Sequence, residues 1–212
     1  MTGLSICVGR ADPPCAGGAR KRDTAPMDMP RSLPVLEAPR LRLRQLHEGD
    51  VDDLFAIFSD PEVMRYWSHA PFRTLEQAEW YLRDIDAGRS NATHFQWGIA
   101  LREDDRVIGT TTLFALNNKH RRAELGYAVR SSEWRRGYAR EALIAVIGHA
   151  FGTIGLRRLE ADIDPRNIAS CRLVETLGFR LEGELRERWQ VEGEIQHSAI
   201  YGLLAREFAH GA

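Results

Sequence analysis

Apolar residues recur along this chain with two alternating periods, and the switches between them mark out a succession of strands and helices. In EAPRLRLRQL, Leu41 and Leu43 alternate with Arg40, Arg42 and Arg44, the period-two pattern of a half-buried strand. Asp50 then caps a helix whose apolar face is Val51, Leu54, Phe55, Ile57 and Phe58, and Asp60-Pro61 stops it. EVMRYWSHAPF reads as an aromatic loop, after which Thr74 and Gln77 form a capping box for a second helix ending near Gly88. HFQWGIALR and RVIGTTTLFAL are strands joined by the turn EDD, and RAELGYAVRS is a third. From Gly137 to Phe151 the period returns to 3.6, on Ala139, Ala142, Leu143, Val146, Ile147 and Ala150. LRRLEADI is a further strand, and NIASCRLVETLGF a short helix closed by Gly178. RLEGELRERW and EIQHSAIYGLLARE make a terminal hairpin around Glu192-Gly193. The predicted order is β-α-α-β-β-β-α-β-α-β-β, one mixed sheet with helices on both faces.

The 212 residues suffice for one well-buried domain. Residues 1–30 lack a hydrophobic period and are rich in Gly, Pro, Ala and Arg. They read either as a disordered extension or as codons upstream of a start at Met27 or Met29; residues 31–212 form the domain. A formal net charge of -1 argues against a nucleic-acid footprint. The only lysines are Lys21 and Lys119, so nearly all positive charge is arginine. Cys7, Cys15 and Cys171 form no CxxC and leave one over, which fits a reducing compartment. No apolar run approaches the roughly 18 residues of a membrane span, and the expected location is cytoplasmic. The histidines make neither HxH nor HExxH, so no metal is expected.

The chemistry concentrates in SSEWRRGYAREAL. A strand feeds a loop whose glycine, Gly137, opens a helix. The first amides of a helix have no internal partner and the dipole adds positive charge, so anions bind there. The loop lacks the lysine and Ser/Thr of GxxxxGK[ST], which excludes a nucleotide-triphosphate cradle. An ordinary strand–helix turn would look the same.

Four segments in register resolve that ambiguity: APRLRLRQ, DPEVMRYW, ELGYAVRSSEWRRGYAREAL and NIASCRLVETLGFRLEGELRER. Together the pattern from about Ala38 to Tyr201 resembles the GNAT superfamily of acetyl-CoA-dependent N-acetyltransferases. Its closest likeness is to the RimJ/RimL-like branch that acetylates ribosomal-protein N-termini. The resemblance implies an α/β (α+β) single GNAT-type domain, with a mixed, mostly antiparallel twisted sheet of about seven strands. It implies acetyl-CoA as co-substrate and a primary amine as acceptor, on a protein N-terminus or a small molecule. Neither nucleic acid nor membrane is a partner, and a homodimer is compatible with it.

The family pattern [Q/R]-x-x-G-x-[G/A] falls on Trp134, Gly137 and Ala139, with Trp134 where Gln or Arg is usual. By resemblance, the amides from Arg135 through Arg136, Gly137, Tyr138 and Ala139 to Arg140 hold the coenzyme's pyrophosphate. Val129 pairs with the pantetheine arm, and Asn167 contacts the acetyl arm or simply caps its helix. Glu124 is the candidate base, its alternative being a structural carboxylate paired with Arg122. The tyrosine many family members use as thiolate donor is replaced by Val174, and Ser170, one turn back, is the candidate substitute. That absence leaves a catalytically idle acetyl-CoA-binding module as the alternative function. Cys171 lacks a histidine partner in the nearby sequence, which disfavours a covalent acetyl-cysteine. Tyr66, Trp67, Phe72 and Trp97 are the candidate acceptor-pocket walls, with core packing the alternative for Trp97. Arg40, Arg42 and Arg44 read as a solvent-facing strand or as a lure for an acidic partner.

Overall fold

A computed structural model describes residues 33–208. The expected extension, residues 1–30, lies outside them. The sheet has eight strands: β1 (Leu36–Glu37), β2 (Leu41–Arg44), β3 (Phe95–Leu101), β4 (Val107–Asn117), β5 (Arg122–Val129), β6 (Arg158–Ile163), β7 (Arg180–Val191) and β8 (Glu194–Leu204). The spatial order is β1-β2-β3-β4-β5-β6-β8-β7. Neighbours are antiparallel except β5 and β6, which α4 joins as a parallel crossover. The strand beyond the expected number is β1, two residues pairing with β2, too short to show a period.

Five helices cover the sheet: α1 (Val51–Phe58), α2 (Pro61–Met64), α3 (Leu75–Ser90), α4 (Tyr138–Gly152) and α5 (Ile168–Thr176). Strand alternation sorts the side chains into two cores. Trp97, Ile99, Leu125, Val129, Leu159 and Tyr201 belong to the cluster that includes α4 and α5 residues. Ala100, Val107 and Ala128 pack with Leu54, Phe58, Leu82 and Ile85 of α1 and α3. Among the described residues no helix is long and apolar enough to cross a membrane.

Two local readings change. Asp50 does not cap α1 through its side chain. It ends a 3-10 turn, where its carboxylate accepts from the His47 N–H and from both terminal nitrogens of Arg44. The Arg44 guanidinium and the His47 N–H hold the carboxylate toward β2 and the start of the 3-10 turn, away from the first amides of α1. The segment after Asp60-Pro61 is not wholly loop. Asp60 accepts from the Glu62 N–H at 2.9 Å and Pro61 occupies the first turn, so the pair that ends α1 also starts α2. Glu192 (φ 47°) and Gly193 (φ 90°) form the tight turn between β7 and β8, the two successive left-handed residues a two-residue hairpin needs.

Candidate active site

The site starts from a break in the sheet. β5 pairs with β4 from Arg122 to Val129, but with β6 only at Arg122, Ala123 and Glu124. Beyond Glu124 and Glu160 the two parallel strands part, leaving the β6-facing edge of Leu125 to Val129 without a strand beside it. The Arg130 N–H donates to the Ile108 carbonyl at 2.8 Å. Val129, one residue earlier in an alternating ladder, therefore turns its N–H and C=O toward the gap. The carbonyl is not free, because the Trp134 indole N–H donates to it at 2.7 Å. Trp134 thus ties the loop after β5 back to the strand, a role the sequence did not reveal.

That loop presents a concave row of amides. Arg135 (φ 61°) and Gly137 (φ 80°) are both left-handed, and the first helical hydrogen bond of α4 runs from the Glu141 N–H to the Gly137 carbonyl. The N–H groups of Tyr138, Ala139 and Arg140 lie ahead of it and have no intrahelical acceptor. Their alignment with the positive end of α4 suits an anion with several oxygens, such as a diphosphate. The three arginines differ. Arg136 lies 3.3 Å from Glu133, a nearly buried carboxylate that Arg106 also pairs. Arg135 and Arg140 have no ion pair among the described residues and are exposed.

Alternation along β5 sends Glu124 to the α1–α3 side of the gap and Tyr127 to the α4–α5 side. Glu124 is half-buried, with no hydrogen bond or ion pair among the described residues. Burial first, then the charges of Asp162 and Glu160, raise its carboxyl above the ordinary value, against opposing pulls from Arg188 and Arg122. The expected structural partner, Arg122, is engaged elsewhere, donating to Glu160 at 2.8 Å. Glu160 also binds Arg158, and Asp162 accepts from Arg188 at 2.9 Å. Of these three carboxylates, Glu124 alone is left without a cation at contact.

On the opposite side, Asn167 caps α5, its side-chain oxygen accepting from the Ser170 N–H at 3.2 Å. Ser170 therefore sits in the first turn of α5, facing Tyr127. The Tyr127 hydroxyl is buried without a hydrogen bond among the described residues, Ser170 lying beside it but outside bonding geometry. Burial pushes that hydroxyl up to about 12, so it stays protonated. Glu124 was singled out by its place before the loop and by the family resemblance; Tyr127, three residues on and on the opposite face, was legible by strand alternation, but the family's tyrosine lies on the helix after Asn167, where this chain has Val174. Cys171 is buried among core residues.

The aromatic candidates divide. Tyr66 and Trp67 are partly exposed at the end of α2. Phe72 is 5% exposed, packed with Phe58 and Tyr81 at ring distances of 5.5 and 5.7 Å, so it backs the wall rather than facing the pocket. Trp97 is not a wall. It is 1% exposed in the core under α4, and its indole N–H donates to the Pro34 carbonyl at 3.0 Å. The loop does meet the terminal hairpin as expected. Arg73 donates to Glu192 at 3.1 Å, and Arg166, bound to Asp164 and Glu194, lies 5.8 Å over the Tyr66 ring. Arg40, Arg42 and Arg44 are engaged inside the chain: Arg40 pairs Glu141, Arg42 pairs Glu37, and Arg44 pairs Asp50 and Asp105. Among the described residues no group of three or more His, Cys, Asp or Glu is arranged to hold a metal.

A family model described as an acetyltransferase (GNAT) domain matches residues 40–180. The uncharacterized N-acetyltransferase YoaA of Bacillus subtilis is 36% identical over 172 residues, 81% of this chain and 97% of that protein. The fold is also that of Mycobacterium smegmatis RimJ, solved with CoA-disulfide, at TM-score 0.73 and 23% identity over 82% of this chain and 87% of that one. Vibrio cholerae spermidine N-acetyltransferase, solved with CoA and spermine, superposes at TM-score 0.71 and 21% identity, over 79% of this chain and 97% of that one.

Proposed function

The chain belongs to the GNAT acetyltransferase family, and from that premise we propose a site-by-site assignment of its acetyl-CoA-dependent acetylation of an amine. The amides from Arg135 to Arg140 bind the diphosphate of acetyl-CoA, with Arg135 and Arg140 adding charge. The pantetheine arm follows β5 into the gap as an added strand would, the Trp134 indole yielding the Val129 carbonyl to it. The thioester then lies between Glu124 on one side and Tyr127 with Ser170 on the other.

The acceptor enters from the α1–α3 side, between Tyr66, Trp67 and the β7–β8 hairpin. Glu124 takes a proton from the incoming ammonium, directly or through one water, so that the nitrogen lone pair is free. The N–C bond forms as the carbonyl becomes an oxyanion, for which the Val129 N–H is the donor. The C–S bond breaks, the electron pair leaves with sulfur, and the proton still on the attacking nitrogen passes to the departing thiolate, directly or through water, giving a neutral amide and a free thiol. Ser170 supplies the hydrogen bond to that thiolate at the N-terminus of α5, whose dipole favours the charge. Transfer is direct, since Cys171 is buried in the core.

The observation that carries this reading is Glu124: half-buried, raised in pKa and unpaired at the mouth of a strand gap. It also selects the acceptor. A polycation needs several uncompensated carboxylates, whereas Glu160, Asp162 and Glu182 are all bound by Arg122, Arg158 or Arg188. The acceptor is therefore a single primary amine, on a peptide N-terminus as in the RimJ/RimL-like branch or on a small molecule. A relative named spermidine N(1)-acetyltransferase, from Escherichia coli, motivates the polyamine as the competing reading. Thiol release from acetyl-CoA over a panel of peptides, monoamines and spermidine tests this. We expect turnover on single amines with no advantage for spermidine. Tight acetyl-CoA binding without turnover on any amine would leave an idle binding module, and a large preference for spermidine would overturn the single-amine assignment.

A further inference from the structure

Behind the amide row stands a cation–carboxylate pair joining residues 101 positions apart. Glu141 lies in the first turn of α4, the helix whose N-terminus forms the cradle. Its side chain is only 13% exposed. A carboxylate there suits the helix dipole, yet it also places a negative charge beside the position a diphosphate would take. Arg40, the residue just before β2, meets it completely. The Arg40 backbone N–H donates to one Glu141 oxygen at 2.6 Å, while Nε and Nη2 both reach the other at 2.8 Å. The remaining nitrogen, Nη1, donates to the Arg136 carbonyl at 3.0 Å, and the guanidinium lies 4.6 Å over the Tyr138 ring. One side chain thus touches three residues of the loop and first turn: Glu141, Arg136 and Tyr138.

We propose that Arg40 is a positioning residue for coenzyme binding, cancelling the Glu141 charge and drawing the Arg136 carbonyl back so that the neighbouring amides face the diphosphate. It touches no reacting atom. This rests on the assignment of the 134–140 loop to the diphosphate. The two effects are separable. Without Arg40, a nearly buried carboxylate stands unpaired next to an anion site and repels the ligand. Removing the Glu141 charge as well then restores affinity, which loss of packing alone would not do.

The test measures dissociation constants by calorimetry for acetyl-CoA and for S-acetyl-pantetheine, which lacks the diphosphate, together with melting temperatures. Arg40→Ala is expected to weaken acetyl-CoA binding about tenfold, the scale of a partly buried charge at a helix terminus, with S-acetyl-pantetheine unchanged. Arg40→Ala/Glu141→Gln should recover most of that loss. Should Arg40→Ala fail to fold, Arg40→Gln keeps the backbone N–H and a donor near the Nε position without the charge and carries the same expectation. Equal weakening of both donors, or no recovery in the double variant, would mean a merely structural contact and overturn the proposal. Gly137→Val is the control for the underlying assignment. If it weakens acetyl-CoA while Arg40→Ala does not, the role of Arg40 alone falls; if neither weakens it, the loop assignment itself falls.

Discussion

The proposed coenzyme cradle and the proposed acceptor mouth lie on opposite sides of one strand gap, and they are held in different ways. The cradle is fixed by backbone dihedrals and by contacts with its own interior: left-handed Arg135 and Gly137, the indole of Trp134 on Val129, and Arg40 on Glu141. The mouth is closed by pairs in water, such as Arg73 with Glu192, whose side chains are 79% and 60% exposed. Exposed pairs contribute about 0–1 kcal/mol and weaken with salt. A preset cradle suits an invariant coenzyme, while a mouth closed by weak pairs can open for an acceptor arriving separately. Between them stands Glu124, in an environment unfavourable to its charge, which suits the base we propose it to be.

The largest break in this comparison should come from the centre. Glu124→Gln is expected to lower kcat about 100-fold at neutral pH, the scale of a lost general base, with acetyl-CoA affinity by calorimetry within about twofold. The same substitution should raise the melting temperature slightly near neutral pH. A carboxyl raised in the folded state binds its proton more tightly than in the unfolded chain. Stability is therefore present below the ordinary carboxylate range and falls as pH climbs through the raised value. Gln at this position removes that loss, which thermal melts at several pH values would show.

On the cradle side, Gly137→Val should weaken acetyl-CoA binding about tenfold or more. A β-branched residue at φ 80° costs about 1–2 kcal/mol, and its Cβ would meet the Arg40 guanidinium at 3.4 Å, so the loop that presents the amides must shift. Trp134→Phe is milder. It keeps the ring but loses one hydrogen bond worth about 1 kcal/mol, so titration should show an affinity change within about fivefold, of either sign, since the indole also occupies the carbonyl the arm would use. Smallest of all is Arg73→Ala at the mouth, expected to change stability by less than about 1 kcal/mol while altering KM for the acceptor and not for acetyl-CoA. A shift in acetyl-CoA affinity there would show that the two regions are not independent.

What the sequence revealed follows the same division. Strand alternation marked out β5, on which the resemblance singled out Glu124, and the Asn167 to Gly178 pattern marked out α5, because both elements are local and periodic. The glycine at 137 was legible from its place at a strand–helix junction. Arg40 with Glu141 was not, since nothing local links residues so far apart. For Trp97 the sequence left pocket wall and core packing both open, because an aromatic in a fully buried strand carries no mark of which face it takes; the core reading is the one the structure has. Asp50 was misread because a capping residue and a buried ion-pair partner have the same chemistry in sequence. The acceptor walls stayed least legible, being assembled from α2, the following loop and a hairpin more than 100 residues away.

The central claim is that Glu124 takes the acceptor's proton at the gap between β5 and β6. The pH dependence of kcat/KM for a single amine, in wild type and Glu124→Gln, tests it most directly. The account predicts an acid limb in wild type lying above the ordinary carboxylate range, set by burial and by Asp162 and Glu160, and its disappearance in the variant. An acid limb unchanged between the two proteins would contradict it.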